Sequence, residues 1–313
     1  MRNLSSMMFK TQTQLPLYSE SIESACNLAT GDAIKPTLVF LHGLLGSAQD
    51  WQQIVTHLSS DYQCICIDLP GHAGSQAVTV NDFQHVQQLI IATLAQYEFE
   101  HVVLVGYSLG ARIAMSIASD RAANWPYKIV GMLLESGNPG LTNSAEQLQR
   151  GLHDLAWATR FSESPLTQVL PDWYQQGVFA SLTTKQRTAL IATRSDIQAD
   201  HNGFNGGKQI SKMLAATSLS KQGYLLPQLQ NAAFPVSMVC GELDPKFVLL
   251  TQASQLDHHV VADAGHNVHA DQPVIFSELV RGLVGDGLDR YSLDKHGLTS
   301  EQLIKKQSQL SAA

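Results

Sequence analysis

Residues 106–110 read Gly106-Tyr107-Ser108-Leu109-Gly110. An apolar run, His101-Val102-Val103-Leu104-Val105, precedes them, and a helix-forming stretch from Ala111 to Arg121 follows. A buried strand feeding a sharp turn and then a helix is the setting in which Gly-x-Ser-x-Gly presents a serine hydroxyl at a strand end. Glycines on both sides let strand and helix approach closely and tolerate the strained turn. Ser108 is thus a candidate nucleophile or proton relay. The bland alternative is a serine that only caps the next helix.

The turn demands a parallel sheet around it, and the chain supplies one. Apolar runs occur at Leu38–Leu41, Gln63–Leu69, Val102–Val105, Ile129–Leu134, Val236–Val239 and His259–Val261. Helix-length segments, Gln49–Leu58, Asn81–Tyr97 and Ala111–Asp120, separate the early ones. Strands alternating with helices predict an α/β fold, a mostly parallel central sheet flanked by helices with right-handed crossovers. Functional groups then belong on loops at the carboxyl ends of the strands. The alternation breaks after Gly140. Residues 140–234 read as an inserted helical cap, and Asp200 to Lys208 as a loop within it. Residues 1–139 and 235–285 form the two parts of the core, and 286–313 a polar tail that is either a surface helix or disordered.

With 20 Lys+Arg against 27 Asp+Glu, the net charge of −7 argues against a nucleic-acid partner. No stretch of ~18 apolar residues predicts a membrane span, and no secretory signal is expected in residues 1–20. The four cysteines, Cys26, Cys64, Cys66 and Cys240, read as reduced thiols of a cytoplasmic chain. Cys64 and Cys66 point to one face of a strand and are poorly placed to bridge.

Ser108 needs a base and a group to orient it. Gly241-Glu242-Leu243-Asp244 and Ala264-Gly265-His266-Asn267 each follow a predicted strand. The order serine, acid, histidine makes Asp244 the orienting acid, with Glu242 its rival, and His266 the base. The backbone amides of Leu44, in His42-Gly43-Leu44-Leu45-Gly46, and of Leu109 are the candidate oxyanion donors. His42 is expected to hold that loop. His266 and His269 lie on a loop without a cysteine nearby, so no metal site is expected. Arg112 stands four residues after Ser108, near a helix start that favours negative groups. A substrate carboxylate explains it better than the helix does. Arg150, Arg160, Arg187 and Arg194 punctuate the cap beside Trp157, Trp173, Tyr174 and Phe179.

From about Thr37 to about Leu283 the chain resembles the α/β-hydrolase-fold synthases of menaquinone biosynthesis, the 2-succinyl-6-hydroxy-2,4-cyclohexadiene-1-carboxylate synthases. The resemblance rests on Gly106–Arg112, Glu135-Ser136-Gly137-Asn138-Pro139-Gly140-Leu141 and Asp172-Trp173-Tyr174-Gln175-Gln176. Val178-Phe179-Ala180, Ala216-Thr217-Ser218-Leu219, Cys240–Phe247 and Ala264–Asn267 extend it. The segment Asp172–Gln176 and Gly137–Leu141 are its most specific parts. The resemblance implies an α/β-hydrolase fold with the triad on Ser108, Asp244 and His266. It places substrate contacts on Arg112, Arg150, Arg194, Tyr107, Trp173 and Phe179. It implies elimination of pyruvate from 2-succinyl-5-enolpyruvyl-6-hydroxy-3-cyclohexene-1-carboxylate, a tricarboxylate, with no cofactor or metal. Three departures stand out: Ala111 replaces a usual glycine, Gly177 a usual proline, and the 200–208 loop is longer than usual. Two other readings use the same residues. One is a serine hydrolase of carboxylic esters or C–C bonds. The other is a non-catalytic ligand-binding protein on this fold.

Overall fold

The apolar runs become buried strands. The computed structural model of the chain describes residues 16–24, 35–119, 125–199 and 205–295. Seven strands form one sheet: β1 (Ser19–Ile22), β2 (Thr37–Leu41), β3 (Cys64–Ile67), β4 (His101–Tyr107), β5 (Lys128–Glu135), β6 (Val236–Gly241) and β7 (Asp257–Val261). Their order is β1-β3-β2-β4-β5-β6-β7, with β1 antiparallel to β3 and every other pairing parallel. Strands covered on both faces read as near-continuous apolar sequence, and β2, β3, β4 and β6 are buried throughout.

Period-two alternation divides each strand between two cores. Val39, Leu41, Ile65 and Ile67 face α2 (Phe83–Leu94) and α3 (Leu109–Ser119). Leu38, Phe40, Cys64 and Cys66 face the other side, against α1 (Gln52–Leu58) and the C-terminal helix of the core. The two thiols do share a face, and Cys64, Cys66 and Cys240 are free and buried. Burial pushes the Cys64 thiol up to about 12, so it stays protonated and unreactive. Cys26 lies outside the described residues.

Among the described residues between β5 and β6 there are five α-helices: α4 (Ser144–Glu163), α5 (Leu166–Trp173), α6 (Thr184–Ile197), α7 (Gly206–Ala216) and α8 (Leu226–Gln230). Ala158 and Phe161 of α4, Val169 and Leu170 of α5, and Ile210 and Leu214 of α7 close a separate core around Leu45. Leu45, with Leu44 partly buried beside it, plugs the cap onto the β2 loop. The 200–208 loop is shorter at its far end than the sequence suggested. Asn205 accepts the Lys208 amide and starts α7 at Gly206. Gly206 and Gly207 are in the helix because a Cβ there would strike the carbonyls of Gln198 and Phe161.

After β6 come α9 (Pro245–Ala253), β7, the short α10 (Val268–Asp271) and α11 (Pro273–Lys295). No break occurs at residue 286: α11 carries straight through to Lys295, so the first ten residues assigned to the tail are helix. Among the described residues no helix is long and apolar enough to cross a membrane.

Candidate active site

Ser108 sits between β4 and α3 with φ of 49°, in the left-handed region that non-glycine residues rarely occupy. Its amide donates to the Glu135 carbonyl at 2.8 Å, and its carbonyl accepts from Arg112 at 3.1 Å. These bonds hold the strained turn. The flanking glycines are required sterically. A Cβ on Gly106 would lie 2.6 Å from the Ala111 Cα, and one on Gly110 would lie 1.9 Å from the Leu41 carbonyl oxygen. The methyl of Ala111, one of the departures noted above, fits because Gly137 opposes it: a Cβ on Gly137 would sit 2.7 Å from that methyl.

Asp244 and His266 meet although 22 residues separate them. Asp244 is the N-cap of α9, with Pro245 following at the first helical position, where its missing N–H costs nothing. One carboxylate oxygen faces the Phe247 amide, and the other accepts from His266 Nδ1 at 2.7 Å. Asp244 therefore serves both as the turn residue before proline and as the histidine's partner. Fixing the proton on Nδ1 leaves Nε2 as the basic nitrogen. Glu242, the rival acid, is exposed and has no such bond. Ser136 donates from its hydroxyl to the His266 carbonyl at 3.0 Å, and the ring packs edge-on to Phe179 and at a tilt to Phe247. Ser108 and His266 line one cavity, with no direct hydrogen bond between them; such contacts commonly tighten when substrate arrives.

The β2 loop is held from beneath and from the cap. His42 is buried, accepts the Leu69 amide at Nε2 and contacts the Gly43 carbonyl through Nδ1, as expected of a loop-holding residue. His72 accepts the Leu45 amide, and Leu45 has φ of 69°. Gln198, just after α6, donates to the carbonyls of Leu45 and Gly46. Among the described residues the amides of Leu44 and Leu109 have no hydrogen-bond acceptor. Leu109 opens α3, where the first N–H groups lack an intrahelical partner. Neither Leu44 nor Leu109 is among the residues that line the cavity holding Ser108 and His266.

The cavity itself encloses about 480 Å³. Ser108, His266 and Asp244 share its wall with Arg112, Arg150, Trp173 and Phe179. Arg112 is buried, and its partners are neutral: Nε donates to Gln222 Oε1 at 2.7 Å and NH2 to the Thr217 carbonyl. Burial, aided by Arg150 and opposed by Asp154, lowers its pKa to about 9. Arg150 is partly exposed and gives its Nε to Asp154 at 2.8 Å. Asp154 also accepts the Ser218 hydroxyl at 2.6 Å.

Sequence reasoning overlooked several wall residues, chief among them Lys246, His153, Asn138 and Gln176. Lys246 carried a readable signal. It stands in the first turn of α9, where a cation opposes the helix dipole, the same oddity that singled out Arg112. Burial and Arg150 lower its pKa, against the pull of Asp244.

Two expected substrate contacts sit elsewhere. Arg194 is absent from the cavity wall and forms a buried bidentate pair with Asp50, at 2.6 and 2.8 Å. Burial works to raise the Asp50 carboxyl, but Arg194 outweighs it and holds it below the usual range. Asp50 also accepts the Ser47 amide, so Arg194 braces the β2 loop from the cap. Tyr107 is buried behind the wall. Its hydroxyl donates to Asn267 Oδ1, and its ring fills the space beside Gly43, where a Cβ would lie 2.5 Å away. Among the described residues no group of three or more His, Cys, Asp or Glu side chains is placed to hold a metal ion.

This geometry has known relatives. Residues 36–273 match the α/β hydrolase fold family. The 2-succinyl-6-hydroxy-2,4-cyclohexadiene-1-carboxylate synthase of Serratia proteamaculans (strain 568) is 44% identical over 261 residues, covering 83% of this chain and 98% of its own length. The enzyme of that name from Klebsiella pneumoniae (strain 342) is 42% identical over 243 residues, covering 78% and 91%. Among solved structures, MenH from S. aureus is similar at 25% identity with a TM-score of 0.74, covering 86% of this chain and 98% of that one. The enol-lactonase from Burkholderia xenovorans LB400, at 14% identity and a TM-score of 0.64, shares the fold, covering 86% and 96%. By that family match and by 42–44% identity over most of its length, this chain belongs to the α/β-hydrolase-fold family and, within it, to the 2-succinyl-6-hydroxy-2,4-cyclohexadiene-1-carboxylate synthases.

Proposed function

We propose that this enzyme is a carbon–oxygen lyase that eliminates pyruvate from 2-succinyl-5-enolpyruvyl-6-hydroxy-3-cyclohexene-1-carboxylate. His266 Nε2 takes the Ser108 hydroxyl proton, with Asp244 stabilising the imidazolium that results. Ser108 oxygen in turn removes the proton from the ring carbon beside the succinyl ketone. The electron pair of that C–H bond forms an enolate, whose oxygen is held by the amides of Leu44 and Leu109. The pair then moves through the ring double bond and breaks the C–O bond to the enolpyruvyl group. The departing enolpyruvate takes the proton from His266 Nε2 at its methylene carbon and leaves as pyruvate, while Ser108 keeps the proton drawn from the ring, so that serine and neutral histidine are both restored.

The observation that carries this reading is Arg112. A buried guanidinium with only neutral partners faces the cavity that also holds Ser108 and His266. Such a cation is costly in the empty site and is matched by a substrate carboxylate. Arg150 and Lys246 supply two further cations for a tricarboxylate. Arg194 acts at one remove, by bracing the β2 loop through Asp50. Trp173 and Phe179 wall the ring, and Tyr107 supports the His266 loop through Asn267. The buried free thiols fit a cytoplasmic enzyme.

The test is a paired assay. Incubation with the enolpyruvyl substrate is expected to release pyruvate, while a nitrophenyl ester is turned over poorly. Deuterium at the ring carbon beside the ketone slows turnover if proton removal limits the rate. Fast ester turnover without pyruvate release would favour the hydrolase instead.

A further inference from the structure

Glu135 ends β5 fully buried and lines no part of the cavity. Its carboxylate is nonetheless committed twice to one residue. It accepts His269 Nδ1–H at 2.7 Å and the His269 backbone amide at 3.1 Å. Its carbonyl accepts the Ser108 amide at 2.8 Å. The next residue, Ser136, gives its hydroxyl to the His266 carbonyl and its amide to the Val239 carbonyl. Two consecutive residues at the end of a central strand are thus fastened to the serine turn on one side and to the histidine loop on the other.

His269 follows His266 by three residues and is itself buried. Its ring packs against Trp51 at 4.5 Å and Tyr107 at 4.9 Å, with Phe276 at 6.1 Å. Burial works to lower its pKa, but Glu135 outweighs that and holds it above the usual imidazole range. Asp50 adds to this effect and Arg194 opposes it. A buried ion pair is weak as a source of stability, since apolar residues of similar volume do as well or better. Its value here is placement: a carboxylate with two directed bonds fixes where the loop runs.

We propose that Glu135 is a positioning residue that, through His269, holds the His266 loop at the right distance from the Ser108 turn. This rests on the Ser108–His266 proton relay proposed above. A misplacement of about 1 Å is enough to cost about 10²-fold in such a relay.

The test uses the full chain with Glu135→Gln and Glu135→Ala. Glutamine keeps the shape and an oxygen for the His269 amide; alanine keeps neither. For Glu135→Ala, kcat of pyruvate release is expected to fall about 10²-fold with KM nearly unchanged. Glu135→Gln is expected to recover part of that loss. A merely structural residue would not produce this split. A second readout needs no turnover: the downfield proton resonance of His266 Nδ1–H is expected to move in the variants, though Glu135 bonds neither His266 nor Asp244. If the alanine variant does not fold, the glutamine variant carries both readouts. The proposal is overturned by a folded variant with wild-type kcat and an unmoved resonance, or by a rise in KM alone. Should the wild type release no pyruvate, the elimination reading fails by itself, and the resonance still tests the positioning.

Discussion

Replacing Arg112 with methionine separates binding from folding. In the empty enzyme this guanidinium has a pKa lowered from 12.5 to about 9, chiefly by burial and then by Arg150. At 1.36 kcal/mol per tenfold, that is roughly 5 kcal/mol against the charged form. Methionine removes this cost but leaves Gln222 Oε1 and the Thr217 carbonyl without their donor. Each orphaned acceptor costs about 1–3 kcal/mol. The two effects nearly cancel, so Arg112→Met is expected to melt within a few degrees of the wild type. Catalysis has no such compensation. Loss of a desolvated partner for a substrate carboxylate is expected to lower kcat/KM by about 2–4 kcal/mol, on the order of 30- to 1,000-fold. The assay couples pyruvate release to lactate dehydrogenase and NADH, beside a thermal melt on the same sample. Arg112→Lys restores charge but not planar two-point pairing, and is expected to fall between the two. A large drop in Tm with kcat/KM intact would refute the reasoning, because Arg112 would then be a structural residue.

Other outcomes follow from the same site. Ser108→Ala and His266→Ala are each expected to cut kcat by at least ~10³-fold, and the double variant by little more; multiplied losses would mean they do not act as one relay. His42 and His72 pack at 5.0 Å, and burial lowers both, His72 to about 3. For His72 the unfolded chain therefore binds more protons than the folded one from pH 6.5 down to about 3. Stability is expected to fall as the pH falls through that window, by up to about 1.36 kcal/mol per pH unit from this histidine, and His42 acts in the same direction. Denaturant melts at stepped pH would show a flatter slope for His72→Gln; an unchanged slope would exonerate that residue.

The central strands were legible because burial on both faces leaves little choice but Val, Ile and Leu. The edges were not. Ser19–Ile22 is a half-exposed polar strand, and β7 opens with Asp257 and His258, which no apolar pattern marks. Ser108, Asp244 and His266 were readable because each follows a strand and carries its turn chemistry with it. The family resemblance places Arg194 at the substrate, and no local pattern shows its partner, Asp50, which lies 144 residues away in sequence. Tyr107 adjoins the serine in sequence yet packs in the core with Val103 and Val105 of its own strand face, because β4 ends at Tyr107 and Ser108 leaves it in a left-handed turn. Lys246 was visible as a cation at a helix start but was passed over beside the more prominent arginines. The Glu135–His269 pair, 134 residues apart, belongs to the same class of long-range partnerships.

The most direct test of the account is whether Ser108 is ever acylated. The serine stands in a hydrolase turn, yet the proposed chemistry uses it only to pass a proton. Rapid quench of enzyme with the enolpyruvyl substrate, followed by intact-mass measurement, distinguishes the two. The account predicts pyruvate without an initial burst and protein of unchanged mass throughout. A burst, or a mass increment on Ser108, would contradict it and establish nucleophilic catalysis.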